Sequence, residues 1–129
     1  MRVFIVDDSS VIVERLTLPL EGTPGVELVG HAADVPQAVQ RLLETAPDAL
    51  VLDLHMPCGT GLDVLRAIRP VRPGMHVLVF TNYPLDEYRQ RCLTAGAEYF
   101  LDKSTEFEKI PSILRELAQK DAKVSPAAR

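Results

Sequence analysis

The sequence predicts an α/β fold in which five parallel strands alternate with five helices, written (βα)5. Two observations predict it. Short apolar runs that end in polar or turn residues recur five times along the chain. The segments between these runs repeat their apolar residues every three or four positions, as helices do. Together they indicate a doubly wound five-stranded parallel sheet with helices on both faces.

The apolar runs are the predicted strands. Each is rich in Val, Leu, Ile or Phe and lacks a clean alternation of apolar and polar residues. Strands of this composition are covered on both faces, as in a parallel sheet. The five predicted strands lie in residues 2–7, 26–31, 48–53, 76–81 and 98–103.

Helical spacing fills the intervals between these strands. Asp34 stands where the N-cap of the second helix belongs. The fourth helix can take Pro84 in its first turn and end at Gly96. Pro19 lies inside the first helical pattern, and it should end or kink that helix near Leu18.

The length of 129 residues fits one domain with a sizeable core. A content of 47% hydrophobic and 25% charged residues is typical of a soluble globular protein. We predict that the domain occupies residues 1–119. The remaining residues, 120–129, are polar and without helical periodicity, which predicts a flexible C-terminal tail.

Charge and cysteine content exclude several classes of protein. A net charge of −4 disfavours direct nucleic-acid binding, which needs a basic patch. No apolar run is long enough to span a membrane, and the N-terminus does not resemble a signal peptide. Cys58 and Cys92 lack the spacing of metal or redox motifs, so they are interpreted as reduced thiols. The sequence therefore predicts a cytoplasmic protein without a membrane partner.

Polar residues of particular types end four of the predicted strands. Asp7 and Asp8 follow the first strand, Asp53 ends the third, Thr81 the fourth and Lys103 the fifth. In a sheet of the flavodoxin-like order 2-1-3-4-5, these strand ends lie along one edge. Taken singly, an acid there can be a helix N-cap, the threonine a turn residue and the lysine a surface charge. Their joint occurrence in this order favours a common site.

The residue types at these strand ends indicate phosphoryl transfer. Three converging carboxylates repel each other unless a cation neutralises them, and Mg²⁺ prefers such oxygen ligands. A lysine and a hydroxyl facing the ion would stabilise the oxygens of a transferring phosphoryl group. Asp53 is a lone acid at the centre of the predicted sheet, with a glycine-containing loop after it. It is the best candidate for a carboxylate nucleophile.

The sequence resembles the receiver domain of bacterial two-component response regulators, from about residue 2 to 118. The resemblance lies in the acidic pair of VDDSS, in LDLHMPCGTGLDVL, in VFTN and in AGAEYFLDKS. It implies that Asp53 accepts a phosphoryl group from a histidine kinase or a histidine phosphotransfer protein. It also implies that Asp7, Asp8 and Asp53 hold Mg²⁺ together with the backbone carbonyl of His55.

The resemblance assigns further roles around this acceptor. Thr81 and Lys103 would bind phosphoryl oxygens. Phe100 stands three residues before the lysine, where the family has the switch aromatic that turns inward as the threonine moves toward the phosphate. The neighbouring Tyr99 is the rival for this role. The implied activity is signalling rather than enzymatic, apart from Mg²⁺-dependent self-phosphorylation and autodephosphorylation.

The sequence departs from the common family pattern at one position, and two other positions of interest are ones at which family members differ from one another. Ser104 follows the lysine where many members have proline. His55 and Tyr83 lie two residues beyond the nucleophile and the threonine, at positions that tune dephosphorylation in the family. Both side chains are bulky, and we expect them to hinder the attacking water and to prolong the phosphorylated state.

A helical wheel of the first helix places Val11 and Leu18 away from the sheet. Exposed apolar residues near the acidic pair would suit docking of a kinase helix. The output partner is unknown, because no helix-turn-helix or catalytic output is encoded in the sequence. The chain would be either a stand-alone receiver or the first part of a longer regulator.

Two alternatives stay open at the level of sequence. One is a haloacid-dehalogenase-type phosphatase, although that family has a second Asp two residues after its nucleophile, where this chain has His55. The other is a receiver-like binding module that is not phosphorylated, which the complete set of acids, threonine and lysine disfavours.

Overall fold

The computed structural model describes residues 1–127, and it describes side chains as far as residue 122. The sheet consists of five strands: β1 (Arg2–Val6), β2 (Glu27–Ala32), β3 (Ala49–Leu52), β4 (His76–Thr81) and β5 (Tyr99–Asp102). Five helices follow them: α1 (Ser10–Glu21), α2 (Val35–Thr45), α3 (Gly61–Ile68), α4 (Asp86–Thr94) and α5 (Lys109–Ala127). A small hairpin between β3 and α3 pairs His55–Met56 with Gly59–Thr60.

The strand order is β2-β1-β3-β4-β5, and every neighbouring pair is parallel. Alternate residues of β1 enter two different apolar clusters. Phe4 and Val6 pack with residues of α2, α3 and α4, whereas Val3 and Ile5 pack with residues of α1 and α5. All four side chains are fully buried. The predicted doubly wound (βα)5 fold is therefore confirmed.

The start of α2 and the end of α4 have the capping residues that the sequence predicts. The side chain of Asp34 accepts a hydrogen bond of 2.8 Å from the Gln37 N–H and caps α2. Gly96 follows the end of α4 at a φ of +107°, a backbone conformation that glycine adopts without strain.

Pro19 does not end the first helix near Leu18, because α1 continues through Pro19 to Glu21, and the alternative of a kink at this point stays a prediction. Leu16 and Leu20 lie on the two sides of the proline and are both fully buried. Their burial against the sheet offsets the cost of a proline inside a helix, which is about 3 kcal/mol in an exposed helix because a hydrogen bond is lost and the ring clashes with the preceding turn.

The last helix is longer than the sequence predicts. It begins at Lys109 and continues to Ala127, past the domain boundary predicted at residue 119. Residues 120–127, part of the predicted tail, are thus helical, and residues 128–129 lie outside the described residues. Flexibility of the segment 120–129 stays a prediction. None of the helices in the described part of the chain is both long and apolar enough to cross a membrane.

A histidine at the amino end of β4 connects the sheet to the last helix. Nδ1 of His76 lies 2.6 Å from a Glu98 carboxylate oxygen, and Nε2 lies 3.1 Å from a carboxylate oxygen of Asp121. A ring that donates from both nitrogens must be the imidazolium. Burial by itself lowers the pKa of His76, but the hydrogen bonds to the two carboxylates outweigh it and leave the pKa raised.

We expect this histidine to make stability depend on pH. Because its pKa is higher in the folded chain than in the unfolded chain, its contribution is complete below the unfolded value of about 6.5. The contribution is lost as pH rises through the raised folded value. Urea unfolding of the wild type and of His76→Gln across this range measures it, and NMR titration of the ring gives the pKa directly.

Glu98→Gln is the matched control, since it keeps the imidazole and removes the nearer carboxylate. It should lower the ring pKa and weaken the pH dependence. An identical pH dependence in the wild type and in His76→Gln would contradict the assignment.

Candidate functional site

Four buried polar side chains meet at the carboxyl edge of the sheet. Asp7 follows β1, Asp53 follows β3, Thr81 ends β4 and Lys103 follows β5. Their exposed fractions are 4%, 6%, 0% and 9%, and Thr23 is the one other buried polar side chain among those described. Since burying polar groups without partners is costly, their concentration at one edge indicates a site built for ligand chemistry.

The three acids predicted to hold a metal are brought together. Carboxylate oxygens of Asp7, Asp8 and Asp53 all lie within 4.8 Å of one another. Asp8 is exposed and does not cap α1, because that role belongs to Ser9, whose hydroxyl accepts a hydrogen bond of 3.3 Å from the Ile12 N–H. The capping interpretation of Asp8 is therefore wrong.

Lys103 is the cation that faces this acidic cluster. Its Nζ lies 2.6 Å from Oδ2 of Asp7 and 3.2 Å from Oδ2 of Asp53. Burial and the negative charge of Asp7 raise the pKa of the Asp53 carboxyl, and the nearby ammonium of Lys103 opposes them. One lysine can balance one of these carboxylates, so the cluster retains negative charge that can attract a further cation.

The backbone around Asp53 is closely confined. Its N–H donates to the Val6 carbonyl at 2.9 Å, and its Oδ1 accepts from the His55 N–H at 3.4 Å. Gly61, at the start of α3, packs so closely that a Cβ there would collide with the Asp53 carbonyl oxygen. Glycine at position 61 is therefore a steric requirement of this close packing.

Thr81 is placed with its hydroxyl oxygen already accepting a hydrogen bond of 3.0 Å from the Tyr83 N–H. Its hydroxyl hydrogen remains available for donation. Phe100 is buried and belongs to the apolar cluster on the α4 side of the sheet, whereas Tyr99 packs into the cluster on the opposite side. The guanidinium of Arg89 lies 5.1 Å from the centroid of the Phe100 ring.

The two residues predicted to tune dephosphorylation contact each other. The rings of His55 and Tyr83 have centroids 4.0 Å apart at an interplanar angle of 52°. Tyr88 adds an edge contact, 6.0 Å from the histidine ring. Sequence reasoning did not identify Tyr88 or Arg89, since the charged run around them is typical of a solvated helix face. Their positions depend on how α4 packs beside the site.

Val11 and Leu18 lie on the outer side of α1, as the helical wheel predicts. Their exposed fractions are 60% and 78%. Their role in docking stays a prediction.

Comparison with known proteins identifies a family that matches most of the chain. The model of the response regulator receiver domain family matches residues 3–115. The chain is 34% identical over 134 residues to a protein-glutamate methylesterase/protein-glutamine glutaminase of Azospirillum brasilense, covering 100% of this chain and 34% of that protein. It is 33% identical over 103 residues to the DNA-binding transcriptional activator DevR/DosR of Mycobacterium tuberculosis, covering 80% and 48%. The chain thus spans between a third and a half of these curated relatives.

Among solved structures, a chain in the CheX-CheY-BeF3-Mg+2 complex from Borrelia burgdorferi has a TM-score of 0.82 and 26% sequence identity. The similarity covers 91% of this chain and 88% of that one. The family match covers the whole sheet except Arg2, the first residue of β1, and ends inside α5. The protein belongs to the response regulator receiver domains, the phosphate-accepting signalling modules of two-component systems.

Proposed function

We propose that Asp53 is the residue that accepts the phosphoryl group, from a phosphohistidine of a sensor histidine kinase or a histidine phosphotransfer protein. A carboxylate oxygen attacks phosphorus, so that a P–O bond forms as the P–N bond of the donor breaks. The electron pair stays on the imidazole nitrogen, which takes up a proton. The observation that carries the proposal is the buried Asp53 carboxylate at the sheet edge, 3.2 Å from the Lys103 ammonium.

The acidic cluster fits a hard divalent cation. Asp7, Asp8 and Asp53 offer carboxylate oxygens within 4.8 Å of one another, and the backbone carbonyl of His55 would complete the protein ligands of Mg²⁺. The ion would neutralise charge on the carboxylates and the phosphoryl oxygens. The Borrelia burgdorferi complex contains BeF3 and Mg²⁺, and similarity to it supports this choice of cation.

Lys103 and Thr81 are proposed to hold the transferred group. The lysine ammonium faces the acceptor from β5 and can exchange a carboxylate contact for one with a phosphoryl oxygen. The threonine hydroxyl can donate its hydrogen to another oxygen without giving up the hydrogen bond it accepts from Tyr83. Both contacts strengthen as charge accumulates on the phosphoryl oxygens, which is how such groups promote the transfer.

Phosphorylation would replace one negative charge at Asp53 with about two, and this biases the conformation of the neighbouring strands. Thr81 pairs with Asp102, and Val79 pairs with Phe100, so the two proposed switch residues lie on directly paired strands at this edge. We propose that Thr81 and Phe100 form the switch. Phe100 is favoured over Tyr99 because it packs on the side of α4, beside Arg89.

The exposed Val11 and Leu18 on α1 are proposed to contribute to docking of the phosphodonor. The output partner is a separate matter, since the relatives are longer than this chain and carry methylesterase or DNA-binding names. Family membership supports the signalling role, and it supports neither the haloacid-dehalogenase-type phosphatase nor the unphosphorylated binding module.

Replacing the nucleophile should abolish phosphorylation. Incubation with a small acyl phosphate and Mg²⁺ should label the wild type and leave Asp53→Asn at background, because an amide cannot form the acyl phosphate. Removing the metal with EDTA should also suppress labelling of the wild type. Intact-protein mass spectrometry measures the added phosphoryl group.

Glu116→Gln is the control for loss of one carboxylate, since this residue is exposed on α5. It should be labelled as fast as the wild type. Persistent labelling of Asp53→Asn would move the acceptor to another residue.

The contact between His55 and Tyr83 should control the phosphoryl lifetime. Alanine at either position should shorten the lifetime by roughly two- to tenfold, which corresponds to about 0.4–1.4 kcal/mol in the barrier, because water reaches phosphorus more easily. Since the two rings touch, the double variant should lose less than the sum of the two single effects.

A phosphate-release time course on purified, phosphorylated protein measures these lifetimes. Leu85→Ala removes an exposed apolar side chain from the same loop and should leave the lifetime unchanged. Unchanged lifetimes in both aromatic variants would refute the tuning role.

The close approach of Gly61 to Asp53 yields another expected outcome. Gly61→Ala should destabilise the fold by about 1–3 kcal/mol, since the added methyl group displaces the backbone of the acceptor. It should also slow acyl-phosphate labelling by roughly tenfold or more, because the nucleophile is misplaced.

Gly74→Ala is the matched control, because a Cβ at Gly74 would have no heavy atom within 4 Å. Its stability should stay within about 0.5 kcal/mol of the wild type. Urea unfolding and labelling rates test both variants, and normal labelling in a folded Gly61→Ala would show that the contact does not position Asp53.

A further inference from the structure

A basic groove runs between α3 and α4, on a different side of the protein from Val11 and Leu18. It consists of two adjoining cavities of about 520 Å³ and 320 Å³ that share Arg66 and Arg91 in their walls. The larger cavity extends to Arg69 and Pro70 at the end of α3. The smaller one reaches His55, two residues beyond the phosphoacceptor.

The charge of this groove is opposite to that of the protein. The chain carries 18 acidic residues against 14 lysines and arginines, for a net charge of −4. None of the residues that line the two cavities is acidic, and three of them are arginines. Within the described side chains, Arg66 and Arg91 are exposed and take part in none of the ion pairs.

The third arginine, Arg69, also takes part in none of the ion pairs among the side chains that the structure describes. The guanidinium of Arg69 donates to backbone carbonyls of Arg72, Pro73, Met75 and Gly96, at distances from 2.6 to 3.3 Å. These hydrogen bonds fix the side chain in place. Because carbonyl acceptors are neutral, they do not compensate its positive charge. Arg69 therefore contributes a rigidly held charge at the end of the groove.

A structural explanation accounts for part of this arrangement. Arg66 and Arg91 lie in the last turns of α3 and α4, where a cation is favoured by the helix dipole. That effect explains one cation at each helix end. It does not explain why acidic side chains are missing from the walls of both cavities, in a chain where acids outnumber bases.

We infer that this groove binds an acidic segment of a protein partner, with carboxylates placed against Arg66 and Arg91. Arginine suits the task, since its planar guanidinium can bind a carboxylate through two hydrogen bonds. Apolar and aromatic walls from Leu54, Leu62 and Tyr88 adjoin the charged pair, so a segment that mixes acidic and apolar residues is complementary to the surface.

A polypeptide fits this groove better than the other anionic ligands. The two cavities form a continuous open surface along two helices, whereas small-molecule sites enclose most of their ligand. Nucleic acid would meet the repulsion of a protein with net negative charge. Arg66 and Arg91 are not among the residues proposed to hold the phosphoryl group or Mg²⁺, so this inference is independent of the role proposed for Asp53.

The experiment uses a fluorescein-labelled peptide that alternates glutamate and leucine, and a second peptide with glutamine in place of every glutamate. Fluorescence anisotropy should detect binding of the acidic peptide alone, weakening as salt is added. Backbone amide NMR shifts should concentrate around Arg66, Tyr88 and Arg91. The double variant Arg66→Gln/Arg91→Gln should weaken binding by about tenfold or more.

Arg115→Gln/Lys120→Gln is the matched control, since it removes two positive charges from exposed positions on α5. It should change the affinity by less than about twofold. Both double variants should still be labelled by acyl phosphate, which separates this result from the function of Asp53.

Three outcomes would overturn the inference. The first is equal binding of the glutamine peptide, and the second is an equal loss of affinity in the α5 double variant, which would indicate a nonspecific charge effect. The third is that pyrophosphate or a single-stranded oligonucleotide shifts the backbone amide signals of the groove to saturation, whereas the acidic peptide does not shift them. That result would assign the groove to a small anion or to nucleic acid.

Discussion

The ion pairs of Lys103 with Asp7 and Asp53 are the interaction on which the site depends. Three carboxylates within 4.8 Å of one another at a buried edge would repel strongly without a cation. The lysine reaches across from β5 to residues that follow β1 and β3, and so connects strands that are not neighbours in the sheet. Its position also means that the charge balance of the acceptor is linked to the conformation of the β5 end. Any ligand that competes for these carboxylates acts on that strand as well.

The same charge arrangement explains why the edge can be buried at all. An uncompensated carboxylate in such surroundings would favour its protonated form. Here the ammonium holds two acids, backbone N–H groups of Ser9 and His55 approach the same side chains, and Asp8 remains exposed to solvent. These contacts compensate the negative charge of the cluster in part, and added charge at Asp53 would disturb an existing network.

The fold and the residues at the sheet edge were predictable because they follow from order along the chain. A parallel sheet collects the carboxyl ends of its strands, so Asp7, Asp53, Thr81 and Lys103 converge once the strands are recognised. The contact between His55 and Tyr83 was not predictable, since it depends on the conformations of two separate loops. The extension of α5 was missed because its few apolar residues do not repeat at helical spacing. An ion pair between Asp121 and His76 holds that segment to the sheet. The spacing of apolar residues along the sequence cannot predict such a polar contact.

The confinement of Asp53 by Gly61 and Val6 has a consequence for how a signal leaves the site. The backbone of the acceptor is fixed on one side by a hydrogen bond within the sheet and on the other by direct contact with α3. The backbone of Asp53 is therefore expected to stay in place when the charge on its carboxylate changes. Under the proposed phosphorylation of Asp53, the response would fall on side chains at the edge that can exchange partners, namely the Thr81 hydroxyl and the Lys103 ammonium. The proposed conformational change would then pass from β3 at the centre of the sheet to β5 at its edge.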